Sequence, residues 1–297
     1  MNTSPSTLAP VEILPVRNVL GEGVLWDSQR HVLWWTDIQS RRLYHHAWAG
    51  GATRILEAPE RVGSFGLVAG SEQLITAFES GIALYDPYAG SISWRARPEK
   101  LGPNVRFNDG RVDRRGRFWS GTMVEGDEGA ASGCLYSVDP IGGTRCHLTG
   151  VRISNGLCMS PDGRHLYFAD SPTRTIRVFE LNEPEGTLGP SRIFAQTPEG
   201  ASPDGATVDV DGCVWSAHWG AGCVVRYTPE GRIDRTLRVP VSQPTCVCFG
   251  GPDLDVLCIT TARLGLSDAA LASEPNAGDV LLYRVGVGGL PESVYQP

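Results

Sequence analysis

The strongest constraint on this chain is a repeat that uses no fixed word. Short apolar strands recur along it, anchored at Leu33, Leu74, Phe118, Leu166, Val214 and Leu257, with spacings of 41, 44, 48, 48 and 43 residues. Turns of Asp, Gly and Pro precede the anchors, as in Asp113-Arg114-Arg115-Gly116, Pro161-Asp162-Gly163 and Asp211-Gly212. An alternating strand follows most of them, at Gly81–Tyr85, Gly133–Tyr136, Thr175–Phe179, Gly222–Tyr227 and Asp279–Tyr283, and Arg42-Leu43-Tyr44 fills that slot in the first unit. A period of about 45 residues, each unit worth three or four strands, is the signature of a propeller blade.

Six units fill the chain, so the sequence predicts an all-β fold: a six-bladed β-propeller with four-stranded blades. Val11–Arg17 is a spare strand expected to complete the last blade, leaving no free sheet edge. The expected organisation is a flexible segment over 1–10 and a single propeller domain over 11–297, with one short helix near Leu266–Ser273. A β-helix or a pair of sandwiches does not explain the six-fold spacing. Composition agrees: Gly 36 and Pro 21 make up about a fifth of 297 residues, against a usual ~12%, too many breakers for a helical bundle.

Charge and cysteine usage narrow the function classes. Asp+Glu 33 against Lys+Arg 26 gives a net charge of −7, which argues against a nucleic-acid or anionic-membrane partner. No apolar run approaches the ~18–20 residues of a membrane span. The Ser/Thr/Pro-rich start lacks the basic and apolar regions of a secretory signal, so the expected location is the cytoplasm. All eight cysteines, Cys134 to Cys258, lie in the second half and none forms a CxxC pair. Buried free thiols are the expectation, with a zinc site or a disulfide framework as the alternative. Cys246 and Cys248 fall on one strand face, a poor geometry for bonding to each other.

Propeller register locates a candidate site. The loops entering the innermost strands open onto one end of the central channel, so equivalent positions converge there. Ten or eleven residues before the anchors stand Glu22, Ser64, Asn108, Asn155, Asp204 and the Cys246/Val247 pair. Five of these six positions bear polar oxygens, and glycines follow them at Gly23, Gly66, Gly110, Gly156 and Gly205. Taken singly, Asn-Gly and Asp-Gly are ordinary turn signals. Taken together, two carboxylates and an amide facing one centre suit a hard or borderline divalent cation. Ser-Pro-Asp-Gly occurs twice; Asp162 falls in an outer turn, whereas Asp204 belongs to the axis set.

Arg106, two before Asn108, is expected to reach into the same mouth, with a plain surface arginine as the alternative. The acidic, Gly-rich stretch from Glu125 to Gly133 reads either as a lid or as a solvated loop. Five histidines fall in turns or outer strands; His218, after Trp215, is placed near the core or the site. No GxSxG elbow, HExxH or P-loop is present.

These residues resemble the gluconolactonase/regucalcin family, also called the senescence marker protein family. The resemblance rests on Gly21-Glu22-Gly23, Arg106-Phe107-Asn108-Asp109-Gly110, Gly121-Thr122-Met123, Ser154-Asn155-Gly156-Leu157, Pro203-Asp204-Gly205, Cys248-Phe249-Gly250-Gly251 and Thr261-Ala262-Arg263. Each is weak alone; together they span nearly the whole chain in order. The resemblance implies a six-bladed propeller that hydrolyses sugar aldonolactones to aldonic acids, a small-molecule task that implies no obligate protein partner. It implies one divalent metal (Ca, Zn, Mg, Mn or Fe(II)) on Glu22, Asn155 and Asp204; the chemistry of such a ring makes Asp204 the expected catalytic residue, taking a proton from the attacking water while it remains a ligand. It places Arg106 and Asn108 on the sugar, with Glu125 near a further acidic contact. The alternatives are a promiscuous lactonase or esterase acting on non-sugar esters, and a non-catalytic metal-binding propeller.

Overall fold

The computed structural model describes residues 8–48, 50–98, 101–102, 104–126 and 131–297. The expected flexible start falls largely outside them, as do Asp127 and Glu128 of the acidic stretch. The described residues form six four-stranded antiparallel sheets. In the first five, strands follow one another in chain order from the innermost outward. The innermost strands are Gly21–Asp27, Val62–Leu67, Val105–Val112, Ser154–Met159 and Ser202–Val208. The sixth blade starts at Pro244–Gly250, and its outermost strand is Glu12–Leu14, paired antiparallel to Val280–Arg284. The N-terminal strand thus closes the ring as the sequence predicts. One short helix, Asp268–Ser273, caps on the Ser267 hydroxyl. No helix among the described residues is long and apolar enough to cross a membrane.

The hydrophobic interior is six slabs, one between each pair of neighbouring blades. Side chains alternate across a strand with period two, so adjacent residues feed opposite slabs. Trp34 packs with Phe65 and Leu74 of the second blade, while Trp35 packs with Cys246 and Cys258 of the sixth. Phe118 and Trp119, and Val214 and Trp215, divide the same way. This is why the anchors read as continuous apolar runs: their strands are sandwiched on both faces. The anchors lie on the second strand of each blade, and Met123 falls near the end of that strand in the third blade, Phe118–Val124.

Six cysteines are buried as free thiols, five of them in these slabs; Cys146 is exposed and Cys134 half-buried, which departs from the expectation. His218 is also buried, its Nε2 3.2 Å from the Tyr227 hydroxyl, and burial holds its pKa down to about 4.

The far ends of the inner strands are covered by the C-terminal segment. Gly289 bridges Asp209 of the fifth blade, and Tyr295 runs parallel to Val68 of the second. Tyr295 is fully buried and donates its hydroxyl to the Asp139 carbonyl at 2.8 Å. Arg114 of the third blade donates to Pro291 O and Ser293 Oγ.

Two buried aspartates tie turns to blades. Asp209 accepts the N–H groups of Asp211 and Cys213, the Trp215 indole at 2.8 Å and the Arg226 Nε at 2.8 Å. Asp113 does the same for Arg115, Arg117 and Trp119. Replacing Asp209 leaves the Trp215 indole and two turn N–H groups without their buried acceptor, and takes from Arg226 its one fully buried carboxylate, leaving it Asp211 and Asp234. We expect Asp209→Ala to lower the unfolding free energy by about 3–5 kcal/mol in urea titrations. Removing the mostly exposed Asp211 partner of the same arginine should change it by no more than about 1 kcal/mol.

Candidate functional site

The axis residues lie within the innermost strands, not in the loops that enter them, and a defect in the strand turns them inward. Pairing with the second strand slips between Glu22 and Leu25, Phe107 and Gly110, Asn155 and Cys158, and Pro203 and Ala206. A bulge inserts an unpaired residue and re-aims its side chain. Gly156 carries this in a left-handed backbone with φ +67°. Gly205 is required for a different reason: a Cβ there would sit 2.6 Å from Cys246 Sγ.

Glu22, Asn108, Asn155 and Asp204, with Arg106, line one cavity of about 350 Å³ at the mouth of the channel. Met123, Ile153, Ser171, Pro172, Ser202, Trp219, Leu20 and Leu264 complete it. Two of the six axis positions stay out. Ser64 is enclosed, 3.4 Å from Ser120 Oγ, and Cys246 faces a small void beneath. His218 does not line the cavity.

One directed chain of hydrogen bonds sets the amide side chains. Arg106 Nη1 donates to Asn108 Oδ1 at 2.7 Å, and Asn108 Nδ2 donates to Asn155 Oδ1 at 2.9 Å and to Ser154 O at 3.0 Å. Asn155 Nδ2 donates to Ser171 Oγ at 2.8 Å, which donates to Pro203 O at 2.7 Å. The Ser171 hydroxyl gives its one proton to Pro203, so it can only accept from Asn155. That fixes the end of the Asn155 amide that carries oxygen, and that oxygen keeps a second lone pair. Both Asn108 N–H bonds are committed, leaving only its Oδ1 a free lone pair.

Arg106 is set from outside the cavity. Glu125 Oε1 accepts its Nε at 2.9 Å, and both Glu125 oxygens accept from Arg61 at 2.9 Å; Arg61 also pairs with Glu79. Burial lowers the pKa of the enclosed Arg106 despite Glu125. Burial alone would raise the pKa of the more open Glu125, yet its two arginines hold it below the usual carboxylate range. Glu125 does not line the cavity; it reaches it through Arg106.

Glu22 and Asp204 have no ion pair among the described residues. Burial, then the Asp109 charge, pushes Glu22 up to about 8. Burial, then Glu22 and Asp109, raises Asp204 well above the carboxylate range. Asp109, which sequence reasoning treated as part of a turn, is buried in the same region and accepts Leu157 N and Gly110 N at 2.8 Å. Two buried carboxylates without a cation, beside an amide oxygen of fixed orientation, form a hard-oxygen donor set that fits a dication. No cluster of three His, Cys, Asp or Glu in metal-holding geometry occurs among the described residues; the third donor here is an amide. Asp109 had a sequence signal in the Asn-Asp-Gly run, whereas Ser171 and Arg61 had none.

Comparison with known proteins points one way. Residues 20–263 match the family model described as SMP-30/Gluconolactonase/LRE-like region. The chain is 37% identical over 283 residues to a 6-deoxy-6-sulfogluconolactonase of Pseudomonas putida, covering 94% of this chain and 95% of that protein. It is 36% identical to an L-arabinolactonase of Azospirillum brasilense, covering 92% and 91%. The crystal structure of regucalcin from Agrobacterium tumefaciens, described as a calcium-binding protein, superposes with a TM-score of 0.93 at 29% identity, covering 99% of this chain and all of that one.

The raised carboxylate pKa carries a sign. In chelator, unfolded Glu22 ionises near 4.5 and folded Glu22 near 8. Between these values the folded chain holds the extra proton, so each rise in pH favours unfolding. Measured in chelator, the urea midpoint of Glu22→Gln should therefore gain on that of the wild type as the pH rises from about 4.5 to about 8. A difference between the two proteins that does not change with pH contradicts this electrostatic account.

Proposed function

The chain belongs to the SMP-30/gluconolactonase/LRE-like family, and from that premise we propose that it is a hydrolase opening sugar aldonolactones to aldonic acids with the help of a divalent cation. The observation that carries this reading is the buried pair Glu22 and Asp204, unpaired and set beside an Asn155 oxygen whose direction is fixed. Those three residues are assigned to the cation. When bound, such an ion supplies Lewis acidity toward a carbonyl and lowers the pKa of water.

The remaining chemistry belongs to the chain's own groups. Asp204, ionised beside the cation, would take a proton from the attacking water and return it to the ring oxygen as the lactone opens. Arg106, held by Glu125, and the free lone pair of Asn108 orient ring oxygen and hydroxyl groups, fixing the angle of attack. Glu125 is assigned to positioning Arg106 through their ion pair. Ser171 is assigned to keeping the Asn155 oxygen toward the cavity.

Two measurements test these roles. Asp204→Ala should lower kcat/KM on aldonolactones by about 10³-fold or more, toward the upper range of a positioned general base, and should abolish divalent-cation binding in titration calorimetry. Retained turnover sinks the assignment. Ser171→Ala should keep the fold by circular dichroism while weakening cation binding by about 10–100-fold, as loss of a group that orients a ligand does.

A further inference from the structure

The walls of the cavity differ in chemistry from its floor. The polar groups described above occupy the floor. Leu20, Trp219 and Leu264 form one wall where blades one, five and six meet: Leu20 bridges Ala262, and Trp219 packs against the cluster of Leu20, Ile38 and Ala262. Met123, Ile153 and Pro172 form another wall from blades three and four, with Met123 bridging Ile153. Leu264 is 38% exposed yet lines the cavity, so a large apolar side chain stands at the rim.

Cations are correspondingly scarce. Among the described residues Arg106 is the one cation lining the cavity, and its charge is balanced by Glu125. Arg61, the next guanidinium outward, is held by Glu79 and Glu125. Glu22 and Asp204 face the same space, and their two charges balance that of the cation assigned to them. An anionic substituent entering here would lose hydration against hydrocarbon and meet no uncommitted positive charge. A methyl group would instead find Trp219 and Leu264.

We infer that this site selects neutral aldonolactones whose exocyclic carbon ends in hydrogen or methyl, and discriminates against those ending in a carboxylate or other anion. The inference rests on the lactonase reading and deepens it. A methyl in an apolar pocket changes kcat/KM by roughly tenfold or more, and an unpaired charge in the same place changes it further.

The test uses 1,4-lactones that share ring configuration and differ only in the group on C5. L-arabinono-, D-fucono-, D-galactono- and galactaro-lactone carry hydrogen, methyl, hydroxymethyl and carboxylate; D-xylono-, 6-deoxy-D-glucono-, D-glucono- and D-glucaro-lactone repeat the series. In whichever series turns over, kcat/KM for the methyl lactone should exceed that for the carboxylate by at least about tenfold. Leu264→Lys should shrink that ratio, by about fivefold or more, through a lower KM for the carboxylate lactone, and Leu264→Met should leave it in place. A carboxylate lactone opened within about tenfold of its methyl counterpart, a hydroxymethyl lactone opened faster than the methyl one, or a ratio unmoved by Leu264→Lys overturns the inference while sparing the lactonase reading. Failure to open any member of either series with any of several divalent cations overturns both.

Discussion

The site depends on one directed chain of hydrogen bonds, running from Arg106 through Asn108, Asn155 and Ser171 to the Pro203 carbonyl. It starts on the third blade, crosses the fourth and ends on the fifth. An amide side chain has a donor end and an acceptor end of nearly equal shape, so packing alone does not decide which end faces the cavity. Here each link removes that freedom from the next. A guanidinium has only donors, so it imposes direction at one end, and a backbone carbonyl, which only accepts, imposes it at the other.

Such a chain needs neighbouring blades held at a constant spacing, which the ring supplies. Each blade is buried on both faces by its neighbours, so no blade can shift without disturbing two slabs of close-packed side chains. Closure by Glu12–Leu14 gives the sixth blade a strand from the other end of the chain and ties blade one to blade six. Regular strands would still send the axis side chains into the slabs. The bulges at Glu22, Asn108, Asn155 and Asp204 break that alternation at matching positions and turn polar groups toward the axis.

The repeat and the axis register were legible because both are written in spacing. Turns set the blade length, and ring symmetry makes residues at one register converge whatever their identity. The glycines were half legible. Asp-Gly and Asn-Gly read as turns, and Gly156 does hold a left-handed backbone. Gly205 and Gly110 do not; they permit close packing against Cys246 and Ser64, a contact between blades that no local pattern encodes. Ser171 and Arg61 were illegible for the same reason. Ser171 begins a 3-10 turn after the second strand of blade four and is set by its bond to Pro203 of blade five, and Arg61 lies at the start of blade two but acts on Glu125 of blade three, so each role depends on a contact with another blade. Glu125 was legible as an acidic residue near the mouth, but its partner arginines, and hence its indirect position, came only from the fold.

The charges along the axis also explain why the site opens on one side. Below Glu22 and Asp204 lies Asp109, whose neighbour two residues on, Arg111, donates to the Ala206 carbonyl at 2.8 Å and pairs with Glu292 at 3.2 Å. Glu292 belongs to the C-terminal segment that covers the far ends of the inner strands. The lower axis is thus a buried ladder of alternating sign, shut from below by the chain itself. A buried charge is tolerated when it is paired or hydrogen-bonded, and the lower rungs meet that condition, Arg111 through Glu292 and Asp109 through the Gly110 and Leu157 N–H groups. The top rung has no ion pair among the described residues, and it is the one facing the opening. In the bare fold burial and mutual repulsion hold protons on Glu22 and Asp204. A dication that displaces those protons restores the charged form of both groups beside the oxygen that Asn155 already presents, which makes the electrostatic defect of the bare fold the basis of its binding chemistry.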